Sequence, residues 1–364
     1  MIDKRNILIF LLCSLVLMGL SRNAASKVSI YPTDIETWLQ YDNNVTRERL
    51  PEDYQYGIVW KVYTGFGVKN FIPVEGLDTE AKYELGMRDV NTTNNEDYNS
   101  HRLYLSSSTK LGTGTDINFK ETFELWNSQS DLFNFYRNTA LMKVDQPFGR
   151  KTTASLSYKN EQKRYLNDIP VVSARNSIYH QVDSTVNHRI SDDFIVVVGY
   201  SHRYSMYNRS PIDFIGGRQV VLEGMQRDRQ NVITLGFWAY LLNNTTILKL
   251  SNQFVNSNSN SRAFDYGGNR ATISLVSTPV KKLSVNFDYR IVAYELGAYQ
   301  TPDMGYELGE IRTDDQSGIT LMATYDVSQQ VRLMLKYEHI ENTVFLTKEF
   351  YEENVFSMGL KVKF

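Results

Sequence analysis

Along most of the chain, apolar and polar side chains alternate one by one. Successive residues of a β-strand face opposite sides, so such alternation marks a sheet with one apolar and one polar face. Tyr54, Tyr56, Ile58, Trp60, Val62 and Phe66 interleave with Gln55, Gly57 and Lys61. Ala81, Tyr83, Leu85 and Met87 interleave with Lys82, Glu84 and Arg88. Leu283, Val285, Phe287, Tyr289 and Ile291 interleave with Ser284, Asn286, Asp288 and Arg290. These runs exceed the five or six residues of a common soluble strand and suit a tilted membrane strand of about 9–11 residues. They predict an all-β fold: a transmembrane antiparallel up-and-down β-barrel of about 16 strands, with 14 to 18 as bounds. Residues 232–242 are apolar on both faces, and the register of residues 132–144 stays open.

The connections support the same architecture. Barrels of the bacterial outer membrane have short periplasmic turns and longer outer loops. Short links are expected at residues 112–115, 145–150, 191–193, 243–244, 278–280 and 327–329. Longer ones are expected at 91–99, 160–176, 207–228, 256–269, 297–316 and 341–352. Two links break the rule: 127–130 is short on the long side, and 69–78 is long on the short side. The parity implies an even strand count with both ends in the periplasm. The loop at 207–228 carries an apolar stretch, Pro211-Ile212-Asp213-Phe214-Ile215. It is read either as a constriction folded into the pore, as a hydrophobic tip, or as an extension of the strands.

The last strand is the most specific feature. Phe356, Met358, Leu360, Val362 and Phe364 share one face and the chain stops on the aromatic residue. This resembles the C-terminal signal by which the barrel assembly machinery recognises its substrates. At the other end, Lys4 and Arg5 precede an apolar run over residues 7–20, followed by Ala24, Ala25 and Ser26. That is the pattern of a secretory signal peptide. The run is too short for the roughly 20 residues of a membrane-spanning helix. Residues 1–25 are therefore expected to be cleaved, and 26–364 to form the barrel. Cleavage would remove Cys13, the only cysteine.

Mean hydropathy is −0.38, which would suit a soluble protein. A membrane barrel also averages polar, because only every second residue meets lipid. The aromatic content, 24 Tyr and 18 Phe, fits the girdles that barrels carry at both interfaces. A formal charge of −2 argues against nucleic acid as a partner.

If the apolar positions face lipid, the alternate ones line the lumen. That set includes Lys61, Arg88, Arg102, Lys120, Arg189, Arg203, Arg270, Lys282, Arg290, Arg332 and Lys336. Fewer acids share the face, among them Glu84, Glu124, Asp183, Asp288 and Glu338, while Glu307, Glu310, Asp314, Asp315, Glu349, Glu352 and Glu353 crowd the outer loops. Rings of Arg or Lys build anion-selective pores. The other reading is that these charges pair across strands and fill the lumen. Tyr63 and Tyr104 are read either as lumenal stacking residues or as girdle residues at strand ends.

The residues after the signal peptide, Trp38-Leu39-Gln40-Tyr41-Asp42-Asn43-Asn44-Val45, resemble the opening strand of outer-membrane barrel porins encoded with exopolysaccharide systems. Those often begin with a Tyr-Asp-Asp-Asn-Val type run, where Asn43 here replaces the second acid. The resemblance implies a role in polysaccharide passage. The expected function is thus an outer-membrane channel for anionic or saccharide solutes. Its expected partners are outer-membrane lipid and lipopolysaccharide, the assembly machinery, and a polysaccharide substrate. A plugged structural or secretion-accessory barrel is the alternative. An outer-membrane enzyme is the third class, resting only on His202 beside Ser201 and Ser205. No metal or cofactor motif is present, so none is expected.

Overall fold

The structure is a computed structural model. It describes residues 28–43, 57–72, 74, 76–91, 97–112, 114–128, 134–166, 176–210, 212–215, 218–261, 265–296, 312–344 and 349–364. The expected signal peptide, residues 1–25, lies outside the described residues.

The strands run in chain order as β1 (Ser29–Pro32), β2 (Ile35–Asp42), β3 (Gly57–Lys69), β4 (Leu77–Val90), β5 (Tyr98–Lys110), β6 (Asp116–Ser128) and β7 (Phe135–Phe148). Then come β8 (Thr152–Tyr165), β9 (Ser177–Arg189), β10 (Phe194–Tyr207), β11 (Ile212–Ile215), β12 (Arg218–Val221) and β13 (Gln226–Leu241). The last are β14 (Thr246–Ser259), β15 (Tyr266–Val280), β16 (Leu283–Leu296), β17 (Arg312–Asp326), β18 (Val331–Val344) and β19 (Glu349–Val362).

From β2 to β10 and from β13 to β19 each strand pairs antiparallel with the next, β10 pairs with β13, and β19 pairs with β2 from Val355↔Asp42 to Val362↔Ile35. The sheet therefore closes on itself. β1 and β2 both pair with β3. From Pro32↔Phe66 to Glu36↔Tyr63 the first strand advances one residue more than its partner. A bulge at Thr33–Asp34 thus joins β1 and β2 into one stave. β11 and β12 form a separate hairpin in the loop between β10 and β13. Sixteen staves remain, the number expected from the alternation.

The register also resolves the two open segments. In β7, Arg137 and Lys143 lie opposite Glu124 and Asn118 of β6, and so share their face. In β13, Ile233, Leu235 and Leu241 face outward, half exposed, while Trp238 lies opposite Lys249 on the other face. Several outer connections are shorter than expected. β18 and β19 run on through polar residues to Val344 and from Glu349, and β14 and β15 continue to Ser259 and from Tyr266. Asp314, Asp315, Glu349, Glu352 and Glu353 are strand residues rather than loop residues. Paired strand backbone satisfies its own hydrogen bonds, so polar side chains do not end a stave where it leaves the lipid.

The molecule has almost no apolar interior: among the described residues, the buried apolar cluster is Val59 with Val90. Apolar side chains are turned outward instead, as in Trp60, Leu335 and Met358, each more than half exposed. Lipid is their expected partner, because a bilayer solvates apolar surface that water would not.

A polar girdle borders this surface on several staves. Tyr83, Tyr158, Tyr200 and Tyr337 are each the seventh residue of β4, β8, β10 and β18, counted from the short-turn end. Each reaches a polar side chain one step further out. Tyr83 Oη meets His101 Nδ1 at 2.6 Å, and Tyr158 Oη meets His180 Nδ1 at 2.8 Å. Tyr200 and His202 share Asn231 Oδ1, and Tyr337 and His339 share Asn354 Oδ1, at 2.8 and 2.9 Å in both cases. Amphipathic rings of this kind occupy the membrane–water interface. One carboxylate sits inside the apolar zone: Glu121, between Phe119 and Phe123 on β6, accepts a bond from Asn138 Nδ2 (3.3 Å).

Candidate functional site: the barrel lumen

The face opposite the lipid-facing one is concave. Side chains from β2, β3, β4, β5, β18 and β19 border one recess of about 380 Å³, including Trp38, Lys61, Tyr63, Glu84, Arg102 and Lys336. All of its lining residues carry the phase opposite to the apolar face, so the recess opens into the barrel.

Register places ten of the eleven cations singled out from the sequence on this face. Lys61 lies opposite Arg88, Arg102 opposite Glu84 and Glu124, and Lys120 opposite Ser106. Arg203 lies opposite Gln181, Arg270 opposite Gln253, Arg332 opposite Asp326, and Lys336 opposite Ser357. Arg290, opposite Thr272, and Arg189, two positions past Asn187 on the same face, complete the set. Lys282 does not belong to it. It sits in the turn between β15 and β16 at φ 79°, with Nζ 3.4 Å from the carbonyl oxygen of Val327. A left-handed turn residue interrupts the period-two pattern, so alternation cannot be carried through it.

The charges fall into two sets. In the first, cations meet carboxylates. Glu124 is almost fully buried; Arg102 Nε binds its Oε1 at 2.6 Å and Arg137 binds its Oε2. Arg102 also reaches Glu84 at 3.2 Å, and Lys82 reaches Glu84 at 3.1 Å. Lys143–Asp145 (2.8 Å), Lys159–Glu161 (3.5 Å), Lys336–Glu338 (2.8 Å) and Arg332–Asp326 (2.7 Å) pair similarly. Acids are thus more numerous on the inner face than the alternation suggested. Glu36 and Asp326 stand at strand ends, and Asp145 and Glu161 fall where connections were expected, at 145–150 and 160–176.

In the second set, cations meet neutral partners. Lys61 Nζ donates to Gln40 Oε1 (2.7 Å), and Arg290 Nη2 to Gln316 Oε1 (3.4 Å). Arg203 donates to Ser205 Oγ (3.1 Å) and lies over the Tyr179 ring at 4.0 Å. Lys249 lies 5.2 Å from the Trp238 ring. Amides, hydroxyls and ring faces hold these cations without cancelling their charge. The lumen therefore combines a neutralised wall with a set of uncompensated positive charges.

Tyr63 and Tyr104 are inward residues, not girdle residues. Tyr63 borders the recess, and Tyr104 lies under Lys82 (5.6 Å) with its hydroxyl toward Glu84. The girdle that does exist was missed because its histidines looked like isolated strand residues. His202 faces lipid beside Asn231, whereas Ser201 and Ser205 point inward, so the sheet itself separates them. Among the described residues, no group of three or more His, Cys, Asp or Glu could hold a metal ion. Phe356, Met358, Leu360 and Val362 share the outward face of β19, as the alternation implied. Phe364 lies beyond the strand, 70% exposed, because pairing with β2 and β18 stops at Val362.

No family model matches the chain, and no curated protein matches it significantly. Its shape does match solved barrels. Outer-membrane expressed OmpT of Vibrio cholerae aligns at TM-score 0.53 and 10% identity, over 94% of this chain and 99% of that one. An anion-selective porin from Comamonas acidovorans aligns at TM-score 0.52 and 12% identity, over 93% and 100%. A bacterial polysaccharide outer membrane secretin aligns at TM-score 0.50 and 6% identity, over 91% and 98%. At such identities the likeness is one of fold, and the fold is a 16-strand outer-membrane β-barrel.

Proposed function

We propose that the chain forms an outer-membrane channel for anionic or saccharide solutes. The observation that carries this reading is the set of cations held by neutral partners, Lys61, Arg203, Lys249 and Arg290, on the inner wall of a sixteen-stave barrel. Barrels of 16–18 strands leave an aqueous channel, and fixed positive charge on its wall draws anions. An anion-selective porin and a polysaccharide secretin share the fold, which makes these two cargoes compatible with it. Passage of an exopolysaccharide is the specific form of this function that the opening-strand resemblance favours. The test is conductance of the refolded chain in a planar bilayer under a salt gradient. An anion-selective reversal potential is expected; a cation-selective one, or no conductance, would overturn the reading.

A further inference from the structure

A row of aromatic rings runs along the inner wall from the outer mouth toward the middle of the lumen. Tyr98, Trp126, Phe135 and Tyr165 stand at the outer ends of four successive strands, β5 to β8, all on the inward face. Tyr98 stacks on Trp126 with centroids 3.6 Å apart, Trp126 on Phe135 at 5.5 Å, and Phe135 meets Tyr165 at 5.8 Å. Tyr98 also hydrogen-bonds Tyr63, which shares the recess near the centre with Trp38. None of the six rings is buried.

Inward positions of a wet lumen are normally polar, so six partly exposed rings in succession need a partner. The cations beside them indicate its chemistry. Lys163 Nζ lies 4.2 Å from the Phe135 ring and 4.7 Å from Tyr165, Arg88 lies 6.0 Å from Tyr98, and Lys61 borders the recess. Sugar rings offer apolar C–H faces that lie flat on aromatic rings. Hydroxyls at the ring rim would find the amide of Gln40 and the carboxylates of Glu36 and Glu338.

Resting on the channel reading, we propose that this row is a track for an acidic oligosaccharide. The sugar rings pack along the exposed side of this row, from Tyr165 through Phe135, Trp126 and Tyr98 to Tyr63 and Trp38. Their carboxylates meet Lys163 near the mouth and Lys61 at the recess. The row descends one wall only, so a linear chain can follow it as small ions pass beside it.

The test uses the refolded full-length barrel, with folding verified by heat-modifiable gel mobility. Sodium oligogalacturonate is the acidic probe and maltohexaose the neutral one. Two readouts are taken: interruption of bilayer current, and quenching of tryptophan fluorescence in detergent. The expected results are brief current blocks and quenching by the acidic probe at lower concentration than by the neutral one. Trp126→Ala should weaken binding of both probes at least tenfold. The double variant Lys61→Gln/Lys163→Gln should erase the preference for the acidic probe. A conducting wild type that neither probe blocks or quenches would overturn the track and leave the channel reading standing. Quenching without any conductance would overturn the channel reading and keep the binding track. Trp126→Ala binding like wild type, or equal binding of both probes, would sink the track as proposed.

Discussion

Trp38 lies directly across from Gly359, and its ring occupies the space a β-carbon at 359 would need, 2.8 Å from Cδ2 and Cε3. The same relationship recurs twice on this wall. Tyr63 covers Gly86, its cross-strand partner, and Tyr31 covers Gly67. An aromatic ring folded over a facing glycine lies flat against the sheet and leaves the channel open. Gly359→Leu should therefore push Trp38 off the wall. Overpacking of this kind costs about 1–3 kcal/mol. The midpoint of urea unfolding should fall, and tryptophan emission should shift red as the indole enters the lumen. An unchanged midpoint and spectrum would show that the ring does not depend on the glycine.

Glu124 should matter most among the charged residues. Its carboxylate is buried and holds Arg102 and Arg137 at once. Removing one member of a buried pair leaves the others uncompensated, at a cost of about 3–5 kcal/mol. The half-exposed flank of Arg137 places Glu124→Leu toward the low end of that range. Denaturant unfolding in lipid vesicles measures it. Lys110–Asp116, on the exposed rim, is the control, and Asp116→Asn should cost less than about 1 kcal/mol.

Selectivity should follow the cations with neutral partners. Neutralising Arg203 and Arg290 together (to Gln) should move the reversal potential toward cations. Removing the Lys143–Asp145 pair together (Lys143→Gln/Asp145→Asn) should barely move it, because the two charges already cancel. The contrast should shrink in concentrated salt, where fixed charges are screened. Equal shifts from both variants would mean that pairing does not govern the pore.

Glu121 faces the apolar zone between Phe119 and Phe123 with one amide for company. An acid on the lipid face costs less than the 2–4 kcal/mol of a midplane Arg or Lys, but it still costs. Glu121→Leu should raise stability in lipid vesicles by about 1–2 kcal/mol. A loss of stability would show that the carboxylate has a partner in the membrane.

Phe364 extends beyond the last paired residue and supports no strand. Its removal should leave refolding in detergent unchanged, yet reduce the amount of barrel in the outer membrane of cells. Equal losses in both assays would make its role structural rather than one of recognition.

Much of this fold could be read from alternation alone, because lipid imposes it on every stave. The sixteen staves, the short turns and the inward cations all follow from that rule. The rule failed where another force took over. At Lys282 a left-handed turn broke the period. At Glu36 and Asp326, strand ends carried charge past the membrane edge. The aromatic row was not legible, because Tyr98, Trp126, Phe135 and Tyr165 are far apart in sequence and meet only through cross-strand register. The histidine girdle was hidden in the same way.

The pairing of β2 with β19 also bears on how the molecule forms. Lys361 reaches Glu36 across 325 residues of chain, and Asn354 reaches Asn43 across 311. Contacts so distant in sequence close late and slowly, since loop entropy must be met before they form. Until β19 arrives, β2 is an open edge with unpaired backbone groups and an apolar flank, and such edges invite pairing with other chains. An unfinished barrel therefore presents two open edges and an apolar flank to water until the seam between β2 and β19 is sealed.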